Sequence, residues 1–343
     1  MPVGWCLLLA FSIYFIVSAA IVDSSQLIDY VFFRRDGNFL ISFAPYLLLP
    51  LIRSMDYDYL SKSFSEYLLY SALFSLLLIV LFVAFDDRHS FRGGFISHNA
   101  AGGYFAVMTI FSWCYRSECR SGWLPFLVFS IALYLTDSRG SILAVGLAAA
   151  SMFFRVRPVI VLMVCILFSF AIAFITLESW RSSGELRVGY ATDSVELNIN
   201  RSGTIVNRIF FLYPRALDIY LQAPIFGAGS GSYNDYMTFR SSQLIPDISR
   251  EVVVSSSEHA HNSYLHILSE NGVIGAFLFF VALLFMFDRQ FPDRERYVFQ
   301  FIFIYLLFVS VTEHRITTPS QMWPVVFPLA LFTAGKFQIK GVR

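Results

Sequence analysis

Pro158-Val159-Ile160-Val161-Leu162-Met163-Val164-Cys165-Ile166-Leu167-Phe168-Ser169-Phe170-Ala171-Ile172-Ala173-Phe174-Ile175-Thr176-Leu177 contains no charged residue. As a helix, a run of this length covers about 30 Å, the depth of a bilayer's hydrocarbon core. Backbone in lipid must satisfy its hydrogen bonds within its own segment, so the run reads as a helix and not a strand. Comparable apolar runs occupy 3–22, 39–53, 64–85, 95–113, 123–136, 140–154, 263–287, 297–312 and 322–335. Several are short, so spanning would require their ends to extend into flanking residues. Run 39–53 contains Pro45 and Pro50, and the closely spaced runs 123–136 and 140–154 fit either two spans or a re-entrant hairpin. Run 3–22 lacks a basic leader and reads as a retained helix, not a cleaved signal.

Composition agrees with this reading. Of 343 residues, 57% are hydrophobic and 14% charged, against about 25% charged in a typical soluble domain. The expected fold is all-α: a polytopic integral membrane helical bundle of about ten spans, with one large extracytoplasmic loop that contains an interfacial helix. Its parts are N-terminal transmembrane helices over 1–177, the large loop over 178–262 and C-terminal transmembrane helices over 263–343. A net charge of +1, scattered among apolar runs, offers nucleic acid no basic face. Cys6, Cys114, Cys119 and Cys165 show no metal-ligand spacing, and neither a metal nor another cofactor is expected.

With the N-terminus placed in the cytoplasm, the short inner loops hold twelve basic residues and the short outer loops six. That bias orients the long loop outward. Arg139 stands out on the outer side, in Thr136-Asp137-Ser138-Arg139-Gly140, between two apolar runs. It fits either a tight turn with a local Asp137 pair or an anion-binding corner.

Within the long loop, Ile205, Ile209, Leu212, Ala216 and Ile219 recur at helical spacing, which predicts an amphipathic helix near 204–221 that Pro214 bends or restarts. Such a helix would lie in the interfacial plane or cap the bundle. Arg208 and Arg215 are about two turns apart and could offer their guanidinium forks to a diphosphate. Pro224-Ile225-Phe226-Gly227-Ala228-Gly229-Ser230-Gly231 follows that helix; it reads as a compact loop with amides turned to an anion or sugar, or as a hinge.

The stretch Ser255 to His266 places three of the six histidines at the membrane boundary. Ser255 and Glu258 have capping-box spacing, while Asn262 could cap the following helix. His259 and His261 would diverge on a regular helix, so one imidazole is expected to act with the other in support. Asn262, His266 and Ser269 share a helix face, and Glu270 lies one turn beyond His266, which makes a polar stripe that must face protein or water. Gly272 and Gly275 permit close packing. Glu313 and Arg315, in the last outer loop, read as a boundary pair, a second wall of the site or interfacial anchors.

The order and spacing of Thr136–Gly140, of Arg208 with the glycine stretch, and of His259-Ala260-His261-Asn262-Ser263-Tyr264-Leu265 with Glu270-Asn271-Gly272-Val273-Ile274-Gly275 resemble the bacterial O-antigen ligase and O-antigen polymerase superfamily. The resemblance covers roughly residues 95 to 290 and is carried mainly by the histidine and glutamate motifs. It implies a bacterial inner-membrane enzyme with a periplasmic site. The reaction would transfer a glycan from undecaprenyl diphosphate to a hydroxyl, without metal. The acceptor would be lipid A core for a ligase or another lipid-linked glycan for a polymerase. By this likeness His261, Arg208 and Arg139 are the expected catalytic residues. Arg215, His259, Asn262, Tyr264, His266, Glu270, His314 and Arg315 are the expected substrate contacts. A polysaccharide transporter or flippase is the remote alternative; it would show two similar halves, and the sequence has no internal repeat.

Overall fold

The computed structural model describes residues 1–22, 38–52, 57–85, 90–95, 97–119, 122–182, 208–233, 260–288, 293–316 and 318–341. Eleven α-helices lie within these residues: α1 (Val3–Val22), α2 (Asn38–Leu47), α3 (Tyr57–Phe85), α4 (His98–Cys114), α5 (Leu124–Leu135), α6 (Arg139–Phe153), α7 (Pro158–Ser182), α8 (Tyr213–Gln222), α9 (Ser263–Asp288), α10 (Asp293–Val309) and α11 (Pro319–Gly341). A π-turn, Arg208–Leu212, leads into α8.

The chain is an all-α membrane protein of several spans, but the expectation of about ten is corrected. Among the described residues, four helices are long and apolar enough to cross a bilayer, at Val3–Ile21, Tyr59–Phe85, Pro158–Glu178 and Ser263–Phe287. Turn chemistry ends two of the shorter apolar runs, 123–136 and 39–53. Thr136 caps the end of α5, and Asp137 then takes a left-handed φ of 53° before α6 starts at Arg139. The close pair is thus two short helices on a tight turn. Run 39–53 gives a ten-residue helix containing Pro45, followed by a 3-10 turn at Leu49–Leu51. The last run carries Pro324 and Pro328 inside α11.

Two compact units divide the chain. The second comprises Ile41–Pro158, Leu284–Val309 and Arg315–Arg343. Here α5 packs on α3 and α4, α10 packs on α6, and α11 packs on α4. Phe64 of α3 meets Phe111, Tyr115 and Phe332 in edge-on ring contacts. Gly103 of α4 has no room for a side chain, because an added Cβ would run into the guanidinium of Arg315.

The first unit comprises Met1–Leu40, Val159–Leu283 and Ser310–His314. Its core joins Ala173 and Leu177 of α7 to Leu212, Ala216, Leu217 and Ile219 around α8, with Tyr233 and Leu265. Of the expected stripe, Leu212, Ala216 and Ile219 are buried in this core and Ile209 packs against it, while Ile205 lies outside the described residues. Pro214 sits in the first turn of α8, where its missing N–H costs nothing, so it restarts the helix after the π-turn.

The glycine stretch in this unit packs as a compact loop against α9. Gly227, Gly229 and Gly231 all have positive φ, and their segment lies against a break in α9 at Gly272, whose φ and ψ are 61° and −168°. The amides of Ala228 and Gly229 donate to the carbonyls of Ser269 and Glu270, while Val273 and Ile274 donate to Pro224 and Ile225. Those loop amides are spent on protein. Tyr14 of α1 spans the seam, its hydroxyl donating to the carbonyls of Phe226 (2.6 Å) and Asn271 (3.0 Å).

Backbone meets backbone at this seam, so a side chain on Gly227 has nowhere to yield. Gly94, by contrast, has a φ of 86° with open space around it. Gly94→Ala should cost only the left-handed penalty of about 1–2 kcal/mol. Gly227→Ala should cost visibly more, and thermal unfolding of both variants in detergent measures the difference. Equal losses would mean that the seam is not tight.

Candidate functional site

The first unit gathers the polar residues of the histidine stretch, the π-turn and the segment Ser310–His314. Asn262 organises one end. Its side-chain oxygen accepts from the amides of Tyr264 (3.0 Å) and Leu265 (3.1 Å), which makes it the cap of α9. Its amide nitrogen donates to Ser169 of α7 and to the Val311 carbonyl, both at 2.9 Å. The amide of Ser263 donates to the Ser310 carbonyl. Tyr213 closes the arrangement by donating its hydroxyl to Val311. Burial pushes the Tyr213 phenol up to about 12, with Glu313 adding to the rise and the Asn262 hydrogen bond and Arg208 opposing it. The phenol therefore stays a donor through the physiological range.

Capping by Asn262 leaves His261 outside the helix, at a left-handed φ of 50°. Such backbone is uncommon for a residue with a side chain and costs of order 1–3 kcal/mol, which surrounding contacts must offset. The turn presents the imidazole to Glu313, with His261 Nδ1 3.6 Å from Oε2. On the other carboxylate oxygen, Arg208 Nη1 donates to Glu313 Oε1 at 2.9 Å, and the same nitrogen donates to the Thr312 carbonyl at 2.5 Å. Glu313 thus bridges an arginine and a histidine. The imidazole is the most open of the three, with 22% of its side chain exposed against 9% for Arg208 and 13% for Glu313. Arg208 Nε is buried and finds no hydrogen-bond partner among the described residues.

A second group lies deeper. His266 Nε2 stands 3.6 Å from Glu270 Oε2, one helical turn away. The other oxygen of Glu270 accepts from the Tyr233 amide at 3.1 Å. The His266 ring meets those of Tyr233 and His314 edge-on. Arg215 Nη2 donates to the Tyr233 carbonyl at 2.7 Å and its guanidinium lies over the Tyr233 ring. Glu270 thereby ties α9 to the end of the glycine stretch.

The structure brings His261, Arg208, Asn262, His266, Glu270, Arg215 and His314 into the first unit, in two linked groups. Tyr264 sits in its core, its hydroxyl against Cys165 and its ring stacked on Phe280. His259 lies outside the described residues, as do Ser255 and Glu258 of the capping-box reading. Arg139 belongs to the second unit; its side chain is 89% exposed and pairs with Asp137 at 3.5 Å, the local-turn alternative. Arg315, also in the second unit, is 2% exposed and donates to Gln321 (3.2 Å) and to Ser138 (3.4 Å). In the serine-arginine-glycine turn it is Ser138 that is buried.

Sequence reasoning gave Glu313 too small a part and missed Tyr213 and Ser169. The signal for Glu313 was a lone carboxylate beside His314 in the loop facing the arginine-bearing segment. Tyr213 and Ser169 are ordinary core letters on their own helices.

An all-α membrane protein with a capped histidine, a bridging carboxylate and a buried arginine is the class that fold and site define. Residues 124–280 match the family described as O-Antigen ligase, a stretch running from α5 through the glycine segment into α9. This domain match supports the assignment to the O-antigen ligase and polymerase superfamily that the motifs implied. No curated protein matches the chain significantly.

Removing one member of a buried pair leaves the other charge uncompensated, a loss of about 3 kcal/mol or more. Glu313→Gln should therefore destabilise the protein strongly, while Arg208→Met combined with Glu313→Gln should recover most of the loss. Thermal unfolding of the two single variants and the double variant forms the cycle, and additive losses would show that the two side chains are not coupled.

Proposed function

We propose that this protein is a membrane glycosyltransferase of the O-antigen ligase type. It transfers a glycan from undecaprenyl diphosphate to a hydroxyl of an acceptor such as lipid A core oligosaccharide, without a metal ion. The observation that carries the reading is the bridge from Arg208 through Glu313 to His261. The match of residues 124–280 supports it at the level of the family.

In this reading Glu313 holds the proton on Nδ1 of His261, which leaves Nε2 to take the proton of the acceptor hydroxyl. The acceptor oxygen forms a bond to the anomeric carbon as the bond from that carbon to the diphosphate oxygen breaks. The electron pair departs with undecaprenyl diphosphate. Arg208 carries a buried Nε–H beyond the Nη1 donors given to Glu313 and Thr312, and it would meet the negative charge that grows on the leaving group. Attack from the face opposite the diphosphate inverts the anomeric configuration. Arg215, His266 and Glu270 act at one remove by holding Tyr233 and the glycine segment. Arg139 is proposed as a further anion contact, through an exposed guanidinium. A bacterial cytoplasmic membrane location with the site facing the periplasm is part of this proposal.

The test is reconstitution with undecaprenyl-diphosphate glycan and either a lipid A core acceptor or a second lipid-linked glycan. Wild type should form a new glycosidic linkage, of inverted configuration relative to the donor. His261→Ala and Arg208→Ala should each lower the rate at least about 100-fold, the scale of losing a general base or a charge-stabilising donor. A product that is a longer lipid-linked chain would make the protein a polymerase. Translocation of donor without a new linkage would reject the assignment.

A further inference from the structure

The second unit holds an apolar groove of about 530 Å³, within the range of sites that take small ligands. Its walls come from α4, α5, α6 and α10, and include Trp113, Phe126, Leu133, Ala149, Met152 and Tyr297. The hydroxyls of Thr109, Ser130, Tyr134 and Tyr297 are the few polar groups along it. Two of the walls are short: α5 has 12 residues and α6 has 15. At 1.5 Å per residue they reach about 18 and 23 Å, against about 30 Å of hydrocarbon. The helices still show apolar side chains outward, with Tyr134 75% and Phe153 81% exposed. In a bilayer such a surface is covered by acyl chain.

One end of the groove is marked by charge. Arg116 follows α4 directly, donating Nη1 to the Trp113 carbonyl at 2.6 Å, with its guanidinium 4.3 Å from the Trp113 ring and 5.5 Å from that of Trp123. A smaller cavity joins Trp113, Cys114, Arg116 and Tyr297, so the cation borders the groove through two shared residues. Among the described residues no carboxylate pairs with Arg116. Its remaining N–H donors are left for an anion, at the depth where tryptophans favour a headgroup region.

We propose that this groove is a binding site for an anionic glycerophospholipid, with one acyl chain between α4, α5, α6 and α10 and its phosphate against Arg116. The lipid completes the apolar thickness that the two short helices lack. It serves as a resident component of the second unit and takes no part in glycan transfer.

The test is native mass spectrometry of the full chain released from membranes containing equal amounts of phosphatidylglycerol, phosphatidylcholine and undecaprenyl phosphate. Wild type should retain one phosphatidylglycerol in preference to the other two. Arg116→Gln should lower the ratio of phosphatidylglycerol to phosphatidylcholine about fivefold, the worth of one basic side chain at an anionic surface. Ala149→Trp, which fills the groove, should abolish retention, while Ala150→Trp, outside the lining, should leave it unchanged. Should Ala149→Trp fail to fold, the Arg116→Gln ratio decides alone. Retention of undecaprenyl phosphate in place of phosphatidylglycerol would overturn the proposal, because the groove would then hold a prenyl chain. So would equal retention of the two phospholipids by wild type, or phosphatidylglycerol retention indifferent to Ala149→Trp.

Discussion

The backbone of Gly227 lies against the backbone around Glu270 and Gly272 with no side chain between them, and the polar part of the first unit depends on that contact. Two strained glycines are needed at once, one on each segment, because a Cβ on either would collide with main chain of the other. In exchange, carbonyls freed by the break in α9 receive amides from the glycine segment, and amides beyond the break find carbonyls there. A break in a membrane helix is tolerable only when the freed groups are satisfied by protein in this way. The glycines are therefore a device for docking one backbone on another.

The docking fixes more than the break. It delivers Tyr233 to the carboxylate of Glu270, and Glu270 in turn faces His266. Buried polar groups of this kind cost about 1–3 kcal/mol each when left unmatched, so the network holds its geometry by being satisfied and not by being rigid in itself. At the other end of the same helix, Asn262 uses all of its side chain, accepting from two amides and donating twice. His261 is consequently held out of α9 between a filled cap and the segment Ser310–His314. Its left-handed backbone is the strained product of those two attachments.

How far the sequence could be read follows from the range of each interaction. Signals that act within a turn were legible: the restart at Pro214, the buried stripe of α8, the cap at Asn262 and the His266–Glu270 pair at one-turn spacing. The same local reasoning separated His261 from His259. Long-range pairings were not legible. Nothing near Gly227 says that its partner is the backbone around Gly272, and a glycine-rich segment read alone fits a hinge or an anion loop equally well. Glu313 likewise gains its meaning only from Arg208, more than a hundred residues away. The number of spans was overread because hydropathy counts apolar letters, while the turn at Asp137 ends one short helix just before the next begins.

The arginines differ in how their charge is compensated, and that difference selects among them. Arg139 is solvated and paired with its neighbour Asp137, an arrangement worth little in free energy. Arg215 is buried against a tyrosine ring and a carbonyl, which hold it and leave it a structural partner of Tyr233. Arg315 is buried on an amide oxygen and a hydroxyl, neutral acceptors that orient a guanidinium without offsetting its charge. Arg208 combines burial with a carboxylate, and that carboxylate also faces an imidazole. A group-transfer site needs a cation whose charge is tolerated before substrate arrives and a base held close by. In the proposed site Glu313 faces both Arg208 and His261, so removing it would leave the one uncompensated and the other unoriented at the same stroke.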